Sequence, residues 1–133
     1  KMFRVNMAAE RVKQVALRLE IEHRLDHKIR DLSHGFQKRF SFARALLHRP
    51  KLLLMDEPES GIDRPSAKLL KQLLVDYVSQ GGSVVMTTHS LSWGLSVADE
   101  VAILAMGRLD FKCAKSDTTI EDLRSAYDQS VAQ

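Results

Sequence analysis

The chain is poor in cysteine and in aromatic residues, and it lacks any long apolar run. Its single cysteine, Cys113, cannot form an internal disulfide, which is typical of a protein from a reducing compartment. No stretch approaches the roughly 18 apolar residues of a membrane-spanning helix, and no N-terminal stretch resembles a secretory signal. Aromatic residues make up 6% of the chain and do not interleave with the basic residues, so no nucleic-acid partner is expected.

The sequence also lacks the motif G-x-x-x-x-G-K-[ST], the glycine-rich loop that cradles phosphates in many nucleotide-binding proteins. It begins at Lys1 instead of Met, which suggests a fragment of a longer protein. Its 133 residues are 44% hydrophobic, enough for one modest domain with its own core. The net charge of +3 indicates an ordinary solvated surface, with a patch for anionic lipid headgroups as the alternative.

Hydrophobic periodicity and turn residues predict an α/β protein. Helices are predicted over Ala8–Leu19, over Phe36–His48, from Asp63 to Gly81-Gly82, over Leu91–Val97, and from a capping box at Thr118–Glu121 toward Tyr127. Strands are predicted over Lys51–Asp56, Ser83–Thr88, Val101–Met106 and Leu109–Cys113, the last two joined as a hairpin by Gly107-Arg108. The first two strands are expected to be parallel and covered on both faces. The third helix is expected to bury Leu69, Leu70, Leu73, Leu74, Tyr77 and Val78.

Two acids, Asp56 and Glu57, stand at the end of the first predicted strand. Ligands bind at the carboxyl ends of strands in open α/β sheets. One carboxylate at such a position can hold Mg²⁺ through its waters, and the next residue, on the other face, can polarise an attacking water. The alternative is that the acids only lead the chain out of the core, as acidic residues do at many strand ends.

A histidine, His89, follows the second predicted strand. Because neighbouring parallel strands end at the same edge of a sheet, its imidazole is expected beside Asp56 and Glu57. There it can donate a hydrogen bond to a transferring phosphate. A purely structural role is the alternative for a histidine at a strand end, but the company of the two acids favours the functional interpretation.

Two helix starts carry residues suited to anions or to capping. Ser33, His34 and Gly35 open the second predicted helix, where free backbone N–H groups and the helix dipole favour an anion. Asp63 precedes the third, with Pro65 in its first turn. Ser33 and Asp63 are also good N-caps, and simple capping remains the alternative for each.

Taken in order, these motifs resemble the C-terminal half of an ATP-binding cassette (ABC) ATPase. Leu32–Lys38 is similar to the family signature, Leu52–Asp56 to the Walker B strand and Ser60–Asp63 to the D-loop. The resemblance implies a partial P-loop NTPase fold of the ABC type: parallel core strands flanked by helices, part of the helical signature subdomain, and a C-terminal hairpin and helix. Residues 1–50 would form the helical and signature region of a single domain, and residues 51–133 its Walker B, D-loop, H-loop and C-terminal portion.

The resemblance also implies a role for each acid and for the histidine. Asp56 would be the residue that holds Mg²⁺, Glu57 the catalytic glutamate, and His89 the switch histidine that senses the γ-phosphate of ATP. ATP and Mg²⁺ are therefore the implied cofactors.

In the family each ATP lies between two cassettes, so the signature serves the ATP of the opposite subunit. Ser33 and Gly35 would meet that γ-phosphate, with His34 beside the nucleotide and Asp63 at the dimer interface. His34 departs from the glycine that is usual at its position, and Phe36 from the usual glutamine. The P-loop and glutamine loop would precede Lys1, so the isolated 133 residues are expected to bind ATP poorly and to be inactive.

As a whole, the resemblance implies the ATP-hydrolysing subunit of an ABC transporter. The implied partners are a second cassette, identical or different, and separate integral membrane subunits, with the protein peripheral on the cytoplasmic face of the cell membrane. Residues 97–109 resemble bacterial exporter cassettes, of which a haem exporter is one candidate. Two alternatives are a soluble ABC ATPase without a transport role and a truncated, non-catalytic dimerisation partner.

Overall fold

The computed structural model describes residues 2–132, with side chains from residue 8 onward. The chain divides into two compact units, one ending at Thr87 and the other beginning at Thr88. The predicted domain portion extends from Lys1 to Gln133, and these two terminal residues lie outside the described residues. Within residues 2–132, every helix is too short or too polar to span a membrane.

Both units combine helices with strands. The first contains α1 (Met2–Arg18), α2 (His34–Leu47), β1 (Leu52–Asp56), α3 (Arg64–Ser79) and β2 (Ser83–Thr87). The second contains α4 (Leu91–Val97), β3 (Glu100–Ala105), β4 (Arg108–Ala114) and α5 (Ile120–Val131). Short 3₁₀ helices lie at Glu22–Arg24, Ile29–Asp31 and Lys115–Asp117. The predicted α/β class is confirmed.

The core of the first unit lies between α1 and α2. Val15 and Ala16 on α1, Leu19 and Ile21 just beyond it, and Ala43 on α2 form one buried cluster. On α2, four large apolar side chains are half-buried against this cluster: Phe36, Phe40, Leu46 and Leu47. The apolar faces that an i, i+3, i+4 spacing creates on α1 and α2 therefore pack against each other.

The third helix begins and ends where the sequence predicts. Its last residue is Ser79, and the chain leaves the helix through Gly81, whose φ of 86° suits a residue without a Cβ. Leu70 and Leu74 are buried, as expected, but Val78 is 40% exposed and the prediction of its burial is wrong. At about 100° per residue, Val78 has turned roughly 80° away from Leu70, whereas Tyr77 has turned only about 20°.

The two strands of the first unit pair in parallel, with Asp56 opposite Thr87. Leu53 is buried, but Leu54 is 74% exposed and Val85 is 59% exposed. The prediction that both strands are covered on both faces is therefore wrong for the described residues. Successive side chains of a strand point to opposite faces, and a crossover helix such as α3 covers only one of them.

The second unit is built on an antiparallel hairpin, β3–β4. Met106 and Gly107 have φ values of 49° and 75°, as a tight two-residue turn with both residues left-handed requires. The predicted hairpin is confirmed, but its turn lies one residue earlier than the predicted Gly107-Arg108, because Arg108 already pairs with Ala105 as the first residue of β4. Ile103 and Leu123 are buried, and α5 contacts both β3 and α4.

The predicted capping box of α5 is displaced by one residue. The N-cap is Thr119, whose hydroxyl accepts from the Asp122 N–H at 3.2 Å, while the Asp122 carboxylate accepts from the Thr119 N–H at 3.0 Å. The prediction had used Thr118 and Glu121, which have the same spacing. Two consecutive threonines, each three residues before an acid, leave that choice open at the sequence level.

Replacing Leu19 with alanine is expected to destabilise the chain by about 2–5 kcal/mol, because Leu19 is 1% exposed in the core of the first unit. Leu17 lies two residues earlier and is 51% exposed, so Leu17→Ala is the matched control and is expected to change stability by less than about 1 kcal/mol. Urea denaturation followed by circular dichroism measures both. Equal losses for the two variants would contradict the assigned core.

Candidate functional site

The acidic end of β1 is hydrogen-bonded to Thr87 at the end of β2. The Thr87 hydroxyl donates to the Asp56 carboxylate and accepts from the Glu57 N–H at 3.2 Å. The Glu57 N–H also lies 3.1 Å from the Thr87 carbonyl oxygen. Thr87 had no predicted role, although it ends a strand at the same sheet edge as the acids. Its hydroxyl fixes the direction of one acid and the backbone of the next.

Glu57 has a left-handed backbone, with a φ of 42°. Such a conformation is uncommon for a residue with a side chain, costs of order 1 kcal/mol or more, and persists only where the surrounding contacts impose it. The chain turns sharply here, immediately after the strand, and the Glu57 side chain is half-buried. Backbone strain of this kind clusters at functional sites.

Ser33 caps α2 as predicted. Its hydroxyl accepts from the Phe36 N–H at 3.5 Å, and its carbonyl oxygen accepts from the Gln37 N–H at 2.9 Å. Ser33 and His34 are exposed and Gly35 is half-buried, so the start of the helix is open to solvent. Whether this helix start meets a phosphate stays a prediction.

His34 contacts the loop that follows β1. Its Nδ1 lies 3.1 Å from the Gly61 carbonyl oxygen, and since a carbonyl can only accept, Nδ1 is the donor. Gly61 has a φ of 67°, and a Cβ added there would lie 3.1 Å from Cε1 of His34. Both the backbone conformation and the close imidazole therefore favour glycine at position 61.

Phe36, which departs from the glutamine that the resemblance leads us to expect, lies close to two guanidinium groups. Arg24 is 5.6 Å and Arg39 is 5.4 Å from the ring centroid, within the range of cation–π attraction. His23 approaches the ring edge-on at 5.8 Å. Arg39 also donates to the Ser66 hydroxyl at 3.0 Å, which ties the signature helix to the start of α3.

Lys38 is a residue of the signature segment that had no predicted role. Its ammonium group donates to the carbonyl oxygens of Glu57 at 3.1 Å and Pro58 at 3.3 Å, and to that of Ser60. These acceptors lie 19–22 residues further along the chain, so periodicity gives no signal for them. The only local hint is that Lys38 lies one helical turn after His34.

Asp63 caps α3, as predicted. Its carboxylate accepts from the Ser66 N–H at 2.9 Å. Hydrogen bonds from Ser66, the side-chain hydroxyl first and the backbone N–H second, hold the pKa of Asp63 below its usual value, and nearby Arg39 acts in the same direction. Asp63 is exposed, and its position at a dimer interface stays a prediction.

His89 belongs to the second unit and is exposed. It follows Thr88, whose hydroxyl accepts from the Ser90 N–H at 2.9 Å, and Ser90 in turn caps α4 through the Trp93 N–H at 3.3 Å. The residues around His89 thus connect β2 to the helix that opens the second unit. Its predicted place beside Asp56 and Glu57 stays a prediction.

The donor set at the end of β1 fits a magnesium ion that is held mainly by other ligands. Across the described part of the chain, no three His, Cys, Asp or Glu side chains are close enough together to form a metal cage. Mg²⁺ in nucleotide sites takes one or two protein carboxylates and completes its shell with waters and phosphates. Asp56, exposed and oriented by Thr87, is suited to that task.

Residues 2–60 match the family model described as ABC transporter. The chain is 41% identical over 102 residues to the molybdate/tungstate import ATP-binding protein WtpC of Pyrococcus horikoshii, covering 76% of this chain and 30% of the relative. It is 35% identical over 100 residues to the Nod factor export ATP-binding protein I of Cupriavidus metallidurans, covering 75% and 33%. It is 39% identical over 98 residues to the phosphate import ATP-binding protein PstB of Campylobacter jejuni, covering 74% and 39%.

Solved structures give the same result for the fold. CbiO1 from Clostridium perfringens, part of the ABC transporter complex CbiONQ, matches with a TM-score of 0.71 and 29% identity, over 82% of this chain and 44% of that one. An ATP-binding subunit of an ABC transporter matches with a TM-score of 0.81 and 22% identity, over 93% and 54%.

The fold is therefore that of an ABC-type P-loop NTPase cassette, in part. The chain belongs to the ABC transporter family of ATP-binding proteins, as its sequence motifs predict. It spans about a third of the length of the curated relatives that it matches.

The Glu57→Gly variant is expected to be about 1 kcal/mol more stable than the Glu57→Ala variant. At a φ of 42°, the Cβ of alanine is sterically strained against the backbone, whereas glycine has no Cβ. The two variants lose the same carboxylate, so their difference reports the backbone strain at alanine, reduced by the greater conformational entropy that glycine loses on folding. Urea denaturation of Glu57→Gly and Glu57→Ala measures it. Equal stabilities, or a more stable alanine variant, would contradict a strained backbone at Glu57.

Asp63 is expected to make stability depend on pH in the acid range. Its pKa in the folded chain lies below the unfolded value of about 3.9, so its stabilising effect is complete above that value and disappears as the pH falls through the lower, folded pKa. Asp63→Asn and Asp63→Ser keep an N-cap acceptor but do not titrate.

Thermal unfolding between pH 7 and pH 2.5 compares the three proteins. The advantage of the natural protein over both variants should shrink below about pH 4. An advantage that stays constant across the range would show that the ionised form of Asp63 is not the one that stabilises α3.

Proposed function

We propose that this chain is the C-terminal portion of the ATP-binding and ATP-hydrolysing subunit of an ABC transporter. Residues 1–50 belong to its helical and signature region, and residues 51–133 to its Walker B, D-loop, H-loop and C-terminal portion. One observation carries this proposal. Asp56 and Glu57 end a strand beside its parallel neighbour, in a chain whose relatives named above are ATP-binding proteins of importers and exporters.

The acids and the histidine would act on one ATP. Asp56 would hold, through water, the magnesium ion that accompanies the nucleotide and offsets its phosphate charge. Glu57 accepts a proton from the water that attacks the γ-phosphate. His89 donates a hydrogen bond to the phosphoryl group as it transfers. The Thr87 contacts support this assignment, because they orient Asp56 and the Glu57 backbone before any ligand arrives.

The signature end of the chain would act on a second ATP, bound by a partner cassette. The N-terminus of α2, with Ser33, His34 and Gly35, lies open to solvent and presents free N–H groups to an anion. Asp63 would stand at the interface between the two cassettes. ATP binding holds the cassettes together, and hydrolysis releases them.

Coupled movement of integral membrane subunits would make this cycle a transport cycle. The subunit itself would then be cytoplasmic and peripheral to the inner face of the membrane. The occurrence of CbiO1 in a transporter complex supports this assignment.

The test joins the phosphate-binding half of a relative to these 133 residues, so that each cassette carries both parts of the site. Glu57→Gln should lower ATP turnover by about 100-fold or more, because the amide cannot accept the proton. ATP-dependent dimers should persist, since nucleotide contacts remain. The assay combines phosphate release with size-exclusion chromatography in MgATP.

The control is Glu121→Gln, which makes the same chemical change on an exposed residue of α5. Turnover of this variant should match that of the unmodified cassette. Undiminished hydrolysis by Glu57→Gln would reject Glu57 as the base. A cassette that binds MgATP but never hydrolyses it would reject the proposed function.

A further inference from the structure

The loop that follows β1 turns its main-chain carbonyl groups toward one side chain of α2. The Lys38 ammonium group donates to the carbonyl oxygens of Glu57 at 3.1 Å and Pro58 at 3.3 Å, and to that of Ser60. An ammonium group has three N–H donors, so these acceptors can satisfy all of them. Because the donor is charged, each bond is stronger than one between neutral groups. A single side chain therefore holds the loop.

A second contact extends this hold by one residue. His34 donates from Nδ1 to the Gly61 carbonyl oxygen at 3.1 Å. His34 and Lys38 are four residues apart on α2, so they lie on the same face of the helix, one turn apart. Together they contact the loop from its first residue, Glu57, to Gly61.

The two segments joined in this way are the ones to which the proposed function assigns contacts with ATP. The loop begins with Glu57, whose N–H is bonded to Thr87 at the end of β2. The helix begins after Ser33, its N-cap. Lys38 binds the carbonyl group of Glu57, so it positions the backbone that carries the acid.

We propose that Lys38, assisted by His34, is a positioning residue that makes the loop 57–61 and the N-terminus of α2 move as one body. This positioning role deepens the proposed function and rests on it, because in the proposed function Ser33 contacts one ATP and Glu57 acts on another. A shift of α2 when its end meets a phosphate would be passed through Lys38 to the backbone of Glu57. The clamp thus couples the two ATP sites within one chain.

The test measures amide hydrogen exchange by NMR in the full 133-residue chain without nucleotide. The Ser60 N–H bonds the Glu57 carbonyl oxygen at 3.1 Å and reports on the loop. Lys38→Met keeps the apolar stem but removes the charge, and should speed Ser60 exchange by about tenfold or more. Lys71→Met, at an exposed lysine of α3, is the matched control and should leave it unchanged. The Leu19 amide, bonded to Val15 at 3.2 Å in the core, reports on global unfolding.

Coupling is tested by a double-mutant cycle with Ser33→Ala, which removes the α2 cap. With Lys38 present, losing the cap should speed exchange both at Phe36, at the start of the helix, and at Ser60, in the loop. In the Lys38→Met background it should affect Phe36 alone. A passive structural lysine would not produce this difference.

Two results would overturn the proposal: unchanged Ser60 exchange in Lys38→Met, or the same Ser33→Ala effect on Ser60 with and without Lys38. If the Leu19 amide shows that Lys38→Met unfolds the chain, the cycle is run with His34→Ala, which removes the other contact. There, an equal effect of Ser33→Ala on Ser60 in both backgrounds counts against the clamp. Since no ATP is present, failure of the clamp leaves the hydrolysis test untouched, and failed hydrolysis leaves the exchange result untouched.

Discussion

The main-chain hydrogen bond from Glu57 to the Thr87 carbonyl oxygen, 3.1 Å long, extends the parallel pairing of β1 with β2 past the last strand residue. Because Asp56 is paired with Thr87, the threonine hydroxyl lies within reach of both acids. The chain then leaves the strand with the left-handed backbone of Glu57. The directions of the acids, the turn and the loop beyond it all follow from this one register. A slip of β1 by a single residue would turn the side chain of Asp56 to the other face of the sheet, away from the Thr87 hydroxyl.

Around that end, polar contacts to the main chain replace the apolar packing that stabilises the rest of the first unit. Lys38 and His34 bind loop carbonyl groups, and Asp63 binds the N–H of Ser66. Arg39 connects α2 to α3 through the Ser66 hydroxyl. These contacts leave the start of α2 and the end of β1 open to solvent, which a site for a charged ligand requires. Apolar packing would have held the same segments only by covering them.

Local features of the sequence were sufficient for several element boundaries, although α1 begins at Met2, well before the predicted start at Ala8. Ser33 and Asp63 are caps because their short oxygen-bearing side chains precede apolar periodicity, and Gly81 ends α3 because the chain needs a positive φ there. The capping box of α5 shows the limit of such reasoning, since Thr118 and Thr119 offer the same pattern. These signals depend on neighbours within one helical turn, and the sequence displays them directly.

Long-range features could not be obtained in that way. The apolar run of β1 indicates burial on both faces, yet Leu54 is exposed, because hydrophobicity does not say which element supplies the cover. In the sequence, nothing distinguishes Lys38 from the other basic residues. Its role is visible only in the fold, where the carbonyl oxygens of Glu57 and Ser60 lie within hydrogen-bond distance of its ammonium group. The backbone of Glu57 gives no signal either, since glutamate has no preference for a positive φ.

The parallel register has a further consequence for the order in which the first unit folds. Leu52 pairs with Ser83, so the two strands meet only after the whole of α3 has been brought back across them. Closing that crossover costs chain entropy before any strand contact repays it, whereas α2 forms from neighbours along the chain. The pairing that orders the acidic end therefore has a higher entropic cost of closure than the local contacts of α2. An unpaired β2 leaves Asp56 and Glu57 on an ordinary flexible segment, without the threonine that orients them.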